Sequence, residues 1–290
     1  MTLPEQRIAD AFVAACNDEL AALKPGNVHR YADGHGMRVA DFAACATAAA
    51  PGLARSGSSV GQRILEAVAA SYAEVRCNTN LGIVLLAAPL ASAAEKTPIN
   101  GRGLDSDTLA GSLARVLGEL DIDDAEAAYR AIALANPGGL GAVPEADVRG
   151  PARICLRDAM ALAAARDRVA RQYVTGYADV FGFALPRLHR LLAEGDDLEG
   201  ATTGVYLALL ARWPDTHLLR KFGDSVAQTV TREAAVFEEE FSRGKLSPRL
   251  RDELLDWDSR LKSQGLNPGT TADLTVATLF VHRLGQPECA

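Results

Sequence analysis

Four short segments between residues 24 and 273 carry residues suited to holding a polyanion beside a helix start. They are Lys24-Pro25-Gly26-Asn27-Val28-His29, Asn78-Thr79-Asn80-Leu81-Gly82, Pro214-Asp215-Thr216 with Lys221, and Asn267-Pro268-Gly269-Thr270-Thr271-Ala272-Asp273. Each sets Gly, Asn or Thr next to an expected helix N-terminus, where unpaired backbone N–H groups and the positive end of the helix dipole attract anions. Thr270 and Thr271 add hydroxyls, Lys221 adds a cation beyond Asp215, and Asp273 is a carboxylate able to hold Mg²⁺ against phosphate. Singly, each segment has a structural reading: Asn80 is a plausible N-cap, and Thr270 with Asp273 has the spacing of a capping box. Four such helix starts in one chain point to one polyanion site.

The elements that must position these residues read as helices. Ala and Leu are abundant, apolar positions recur with helical periodicity, and no series of alternating β-branched and aromatic residues makes a sheet. The expectation is an all-α protein, a single multi-helix bundle domain over residues 1–290. Its helices are expected at 4–23, 39–50, 59–76, 81–95, 107–120, 124–135, 151–174, 202–211, 216–242, 247–264 and 271–284. Pro51-Gly52 is read as ending one helix, and Ser59 with Gln62 as a capping box for the next. Residues 99–107 and 136–141 are loops, the second rich enough in Gly and Pro to close over a ligand or to be an ordinary turn. Within 151–174, Asp158, Arg166, Asp167, Gln172 and Tyr173 are polar, and Asp167 with Arg171 has the spacing of a surface ion pair.

Composition excludes several classes. The 290 residues are 48% hydrophobic and 23% charged, ordinary for a globular chain. The longest apolar run, from Leu81 to Ala94, is shorter than the roughly 20 residues of a bilayer span and contains Pro89, so no membrane partner is expected. A net charge of −7 disfavours nucleic acid, which draws on a basic face. The N-terminus lacks the pattern of a secretory signal, and five cysteines without C-x-x-C spacing do not suggest a disulfide framework, so cytoplasmic residence is expected. The glycine-rich phosphate loop, the dinucleotide fingerprint, the G-x-S-x-G elbow and H-E-x-x-H are all missing, and His29 with His35 does not match a zinc spacing.

Taken together, the four segments resemble the family of triphosphoribosyl-dephospho-CoA synthases, from about Glu19 to Leu284. The resemblance implies an all-α transferase that uses ATP as a ribosyl donor, releases adenine and keeps the triphosphate on the transferred ribose. Its acceptor would be a ribose hydroxyl of 3′-dephospho-CoA. Mg²⁺ and phosphate binding then fall to Asp215, Lys221, Thr270, Thr271 and Asp273, with Asp215 and Asp273 as metal ligands. Contacts to ATP or acceptor fall to Lys24, His29, Asn78 and Asn80, and catalytic proton handling to Glu19, Asp41 and Asp273. The chain departs from the citrate-lyase and malonate-decarboxylase branch, where Asn-Thr is commonly followed by His-Lys-Gly; here Asn80-Leu81-Gly82 follows, as in archaeal and methylotroph members. That departure leaves two alternatives open: another ATP-using transferase in cofactor biosynthesis, or a nucleotide-binding regulator without turnover. Association into a homo-oligomer also stays open.

Overall fold

The computed structural model describes residues 2–99, 103–137 and 148–287. Among them are 14 α-helices and no strand. In chain order the helices are α1 (Glu5–Ala21), α2 (Val39–Ala54), α3 (Val60–Val75), α4 (Leu81–Lys96), α5 (Ser106–Glu119), α6 (Ile122–Ala135), α7 (Leu156–Ala163) and α8 (Arg168–Thr175). A π-helical turn (Val180–Ala184) leads into α9 (Leu185–Ala193). Then come α10 (Leu198–Arg212), α11 (Thr216–Phe222), α12 (Asp224–Gly244), α13 (Pro248–Ser263) and α14 (Gly269–Gly285).

Burial separates central helices from peripheral ones. Thirteen of the 16 residues of α4 and 12 of the 17 of α14 are buried, so these two helices are packed on all sides. They touch each other, and α14 also packs against α1 and α10. A helix apolar all round belongs inside a bundle, whereas α8 and α9, apolar on one face only, lie at its periphery. Buried hydroxyls in the centre are satisfied locally: Thr275 and Thr278 donate to the carbonyls of Thr271 and Leu274, at 2.9 and 2.8 Å.

Among the described residues two prolines stand inside α-helices beyond the first turn. Pro89 in α4 has no N–H for the carbonyl of Leu85, and the hydroxyl of Tyr173 on α8 donates to that carbonyl instead, at 2.6 Å. Tyr177 likewise donates to Leu86 O at 2.9 Å. Pro51 does not end its helix as the sequence suggests. There α2 runs on to Ala54, and Gly52 brings it so near α3 that a Cβ would sit 2.8 Å from Glu66 Cβ, so tertiary packing overrides the local breaker.

Other boundaries shift for local reasons. The expected helix at 151–174 is two helices, because the Asp167 carboxylate accepts from Val169 N at 2.8 Å and Ala170 N at 3.2 Å and so caps a new start. Asp167 therefore serves as a cap and does not form the expected surface pair. The expected helix at 216–242 is broken at Gly223, which takes a φ of +83°. Segment 180–193, outside the helices expected from the sequence, is helical. Ser59 caps α3 by accepting from Gln62 N, but the Gln62 side chain turns to Glu66 and the expected capping box is half formed; Asp215 caps α11, at the helix start expected there. The part of the expected 136–141 loop beyond Pro137 lies outside the described residues.

Candidate active site

One cavity of about 550 Å³ opens among the first turns of α4, α8, α11 and α14. It brings together parts of all four chemistry-bearing segments: Asn27; Asn78 and Thr79; Lys221; and Asn267, Thr270 and Asp273. The helix starts are tied by hydroxyls. Thr216 Oγ1 accepts from Arg168 N at 3.2 Å and bonds Thr270 Oγ1 at 3.0 Å, so the beginnings of α8, α11 and α14 meet. Asp215 locks the same junction. One oxygen accepts from His217 N and Leu218 N at 2.8 and 3.1 Å, and the other accepts from Thr271 N and Thr271 Oγ1, both at 2.7 Å.

Asp273, one turn into α14, is a carboxylate lining the cavity. It leans on α4 where Gly82 leaves space; a Cβ there would lie 2.0 Å from Asp273 Oδ2. Of the cavity carboxylates, Asp167 is a cap and Glu19 is paired, while Asp273 has no hydrogen-bond partner among the described residues. Burial, and then the charges of Asp215, Glu19 and Asp167, hold its pKa well above the usual aspartate range, with Arg220 opposing.

Glu19 reaches the cavity from the end of α1, and Lys24 holds it from behind. Their contact is 2.5 Å, and the same ammonium donates to Val28 O at 2.6 Å and Asn27 Oδ1 at 3.2 Å. Burial pushes the Glu19 carboxyl up and the Lys24 ammonium down, each offset by the partner's charge. The turn between them is anchored: Gly26, at φ +84°, donates its N–H to Asp258 Oδ1 at 2.8 Å, and Tyr206 donates to Pro25 O at 2.8 Å. A side chain at Gly26 would strike Pro268 and Leu266, which places the Lys-Pro-Gly turn directly under the start of α14.

Cations line the cavity as well. Arg166 and Lys221 are exposed at its rim without partners among the described residues, and Arg220 approaches Asp167 at 3.6 Å. His217 lies between them, its pKa pushed down to about 4 by burial and then by Lys221 and Arg220, so it is neutral at physiological pH. Arg220 Nη2 lies 3.4 Å from His217 Nδ1, which makes that nitrogen the acceptor and leaves the proton on Nε2. Nε2 is buried and has no partner among the described residues. Where α6 and α7 reach the cavity its wall is largely apolar, with Ile132, Leu156 and Met160 joined by Ile83 and Leu85 of α4.

Of the residues expected from the sequence, Glu19, Asn78, Lys221, Thr270 and Asp273 line this cavity, and the others do not. Lys24 and Thr271 stand behind the wall as supports for Glu19 and Asp215. Asp215, expected as a metal ligand, has both oxygens occupied by four donors and is a structural cap. Asp41, expected to handle protons, caps α2 by accepting from Arg38 N at 2.8 Å, with the Arg38 guanidinium at 3.0 Å. Asn80 is turned inward, donating to Ser71 Oγ at 2.9 Å, while Asn78 Oδ1 accepts from Leu81 N. His29 is buried against Asp258 at 3.3 Å, and burial lowers its pKa. The expected capping box of Thr270 and Asp273 does not form, because α14 already begins at Gly269.

Sequence reasoning missed His217, Arg220 and Tyr129, and it left Arg166 on an exposed helix face. His217 and Arg220 follow the Asp215 cap on the same short helix, a signal obscured once 216–242 was read as one long helix. Among the described residues no group of three or more His, Cys, Asp or Glu side chains is placed to hold a metal.

Comparison with known proteins bears on this arrangement. A crystal structure from Archaeoglobus fulgidus, provisionally named a triphosphoribosyl-dephospho-CoA synthase, superposes with a TM-score of 0.62 at 25% identity, covering 84% of this chain and 98% of the other. The 2-(5″-triphosphoribosyl)-3′-dephosphocoenzyme-A synthase of Pectobacterium atrosepticum is 31% identical over 110 residues, 37% of this chain and 34% of the relative. A Pseudomonas putida protein given the same name provisionally is 33% identical over 110 residues, 38% of this chain and 39% of the relative. The chain thus spans less than two fifths of the length of these curated relatives. The family model described as CitG, ATP:dephospho-CoA triphosphoribosyl transferase, matches residues 5–290, and the chain belongs to that family.

Proposed function

We propose that this chain transfers the triphosphoribosyl group of ATP to a hydroxyl of 3′-dephospho-CoA and releases adenine. The observation that carries the reading is Asp273, a carboxylate without a partner among the described residues in one cavity that both cationic and apolar side chains line. A triphosphate would be met by Arg166, Arg220 and Lys221, by the first N–H groups of α14 and by the Nε2–H of His217. The ribose would then lie against Asp273. Breaking the C1′–N9 bond develops positive charge at C1′, which a carboxylate offsets, and the attacking hydroxyl must lose a proton. Asp273 is suited to both tasks. Its raised pKa makes it a stronger base than an ordinary aspartate, and Glu19, kept in place by Lys24, contributes to that rise.

The donor set does not make a dedicated metal site, since Asp215 is fully engaged and Asp273 stands alone among the free carboxylates of the cavity. We therefore infer that Mg²⁺ rides on the phosphate oxygens of ATP, as small hard cations commonly do, and is not resident in the protein. An unengaged carboxylate beside a cationic cleft favours turnover over the role of a nucleotide-binding regulator. Cytoplasmic residence, where ATP is supplied, is supported by the free thiols of Cys16, Cys45, Cys77 and Cys155. The test is incubation with ATP and Mg²⁺, with and without 3′-dephospho-CoA, followed by mass analysis. Free adenine with a triphosphoribosyl adduct is the expected product pair; ADP or AMP would reject the assigned bond cleavage.

A further inference from the structure

Four tyrosines are buried in this molecule, and three of them satisfy their hydroxyls on backbone carbonyls. Tyr173 donates to Leu85 O, Tyr177 to Leu86 O and Tyr206 to Pro25 O, at 2.6, 2.9 and 2.8 Å. The fourth, Tyr129 on α6, is 4% exposed, and its hydroxyl has no partner among the described residues. It is also the one buried tyrosine that lines the cavity, one turn before Ile132 of the apolar wall on the same helix. A buried hydroxyl left without a partner is costly and uncommon in a packed fold, and one facing a cavity is a hydrogen bond waiting for a ligand.

The arrangement of α4 identifies which part of a ligand reaches it. Gly82 touches Asp273, and Leu85 on the apolar wall is three residues further along, a helix rise of about 4.5 Å. The apolar wall therefore begins within one helical turn of the carboxylate. Given the reaction proposed above, the group bonded directly to the reacting carbon is the purine base. A purine has apolar faces for walls such as Ile83, Leu85 and Met160, and its edge carries ring nitrogens that accept hydrogen bonds.

We propose that the apolar wall of the cavity forms the adenine subsite and that the Tyr129 hydroxyl donates a hydrogen bond to a ring nitrogen of the base, N3 or N7. The proposal rests on the transferase reading and adds a catalytic residue to it. As the C1′–N9 bond breaks, its electron pair passes to adenine, and the bond from the acceptor oxygen to C1′ forms. The acceptor proton goes to Asp273 and from there to solvent, and adenine takes up one proton from solvent, so the count closes. Tyr129 keeps its own proton throughout, in keeping with a phenol whose pKa is raised by burial, and its hydrogen bond strengthens as charge collects on the departing base.

The test compares ATP, 7-deaza-ATP and 3-deaza-ATP on the wild-type protein and Tyr129→Phe, by equilibrium binding and by single-turnover release of the free base. The substitution keeps the ring and removes only an unpartnered hydroxyl, so a purely structural tyrosine would show unchanged binding and an equal or higher melting temperature. The expected result is ATP affinity three- to tenfold weaker in Tyr129→Phe, with a larger loss in the rate of adenine release. One of the two deaza analogues should bind both proteins equally. Equal ATP binding by the two proteins, or the same loss with all three nucleotides, would overturn the proposal. So would a loss seen only in affinity for the acceptor, which would assign the hydroxyl to that substrate instead. If the wild type shows the Tyr129-dependent preference among nucleotides yet releases no base, the subsite stands and the transferase reading falls. If base is released and Tyr129→Phe matches the wild type, the transferase reading stands and the subsite falls.

Discussion

Asp273→Asn is the most informative single substitution because it removes a negative charge and a proton acceptor while keeping nearly the same shape against Gly82. If Asp273 takes the acceptor proton and offsets charge at C1′, its loss should lower kcat by about 10²- to 10⁴-fold, the range typical of a positioned general base. The same change should raise stability, and the sign follows from linkage. An aspartate whose folded pKa lies well above its unfolded value of about 3.9 makes the folded protein bind more protons than the unfolded chain between those two values. Wild-type stability therefore falls as pH rises through that window, and the fall is complete above the folded pKa. Asparagine does not titrate, so the excess melting temperature of Asp273→Asn over the wild type should grow with pH from about 4 upward. The wild-type kcat/KM should rise with pH over the same raised pKa, a limb missing from the residual activity of the variant. Calorimetric melts and adenine release across pH 4 to 9 measure both effects. A folded Asp273→Asn protein with full turnover, or a melting difference that does not change with pH, would refute the reasoning.

Three further outcomes follow from the contacts around the cavity. Lys24→Met leaves the Glu19 carboxylate buried without its cation and should cost about 3–5 kcal/mol in denaturant unfolding; Glu19→Gln added to it should recover part of that loss. Gly82→Ala favours helix by intrinsic propensity but drives a methyl into the space of Asp273 Oδ2, so turnover should drop at least about tenfold, with helix content unchanged by circular dichroism. Asp215→Asn weakens the acceptor for four donors and should lower the melting temperature clearly, while the Mg²⁺ concentration needed for half-maximal activity stays where it is in the wild type; a shift in that requirement would restore Asp215 as a metal ligand.

Local chemistry was legible in the sequence where the signal was itself local. The helical class, the helix start at Asp215 and the gathering of four polar segments all follow from periodicity and helix-start residues a few positions apart. Orientation was not legible. Lys24, Asn80 and Asp215 are close in sequence to groups that face the cavity, yet their side chains turn away, and only the packing of α1, α3 and α14 decides that. Asp273 shows the converse, because the capping-box spacing gave it a complete local explanation that the actual helix start at Gly269 removes. Tyr129 carries no motif at all. Its significance depends on a missing hydrogen bond, which appears only when α6 is packed against α3 and α7.

Pro89 shows how an apparent flaw in one helix becomes an attachment point for another. By withholding an N–H in the middle of α4 it frees the carbonyl of Leu85, and Tyr173 fills that socket, clamping α8 to the helix that carries Gly82. The apolar wall and the floor beneath Asp273 are thereby held in register by a residue that a helix-propensity scale would rank last. Restoring a regular helix with Pro89→Ala would close the socket and unfasten the wall, so an improvement in local propensity would loosen the cavity it was meant to support.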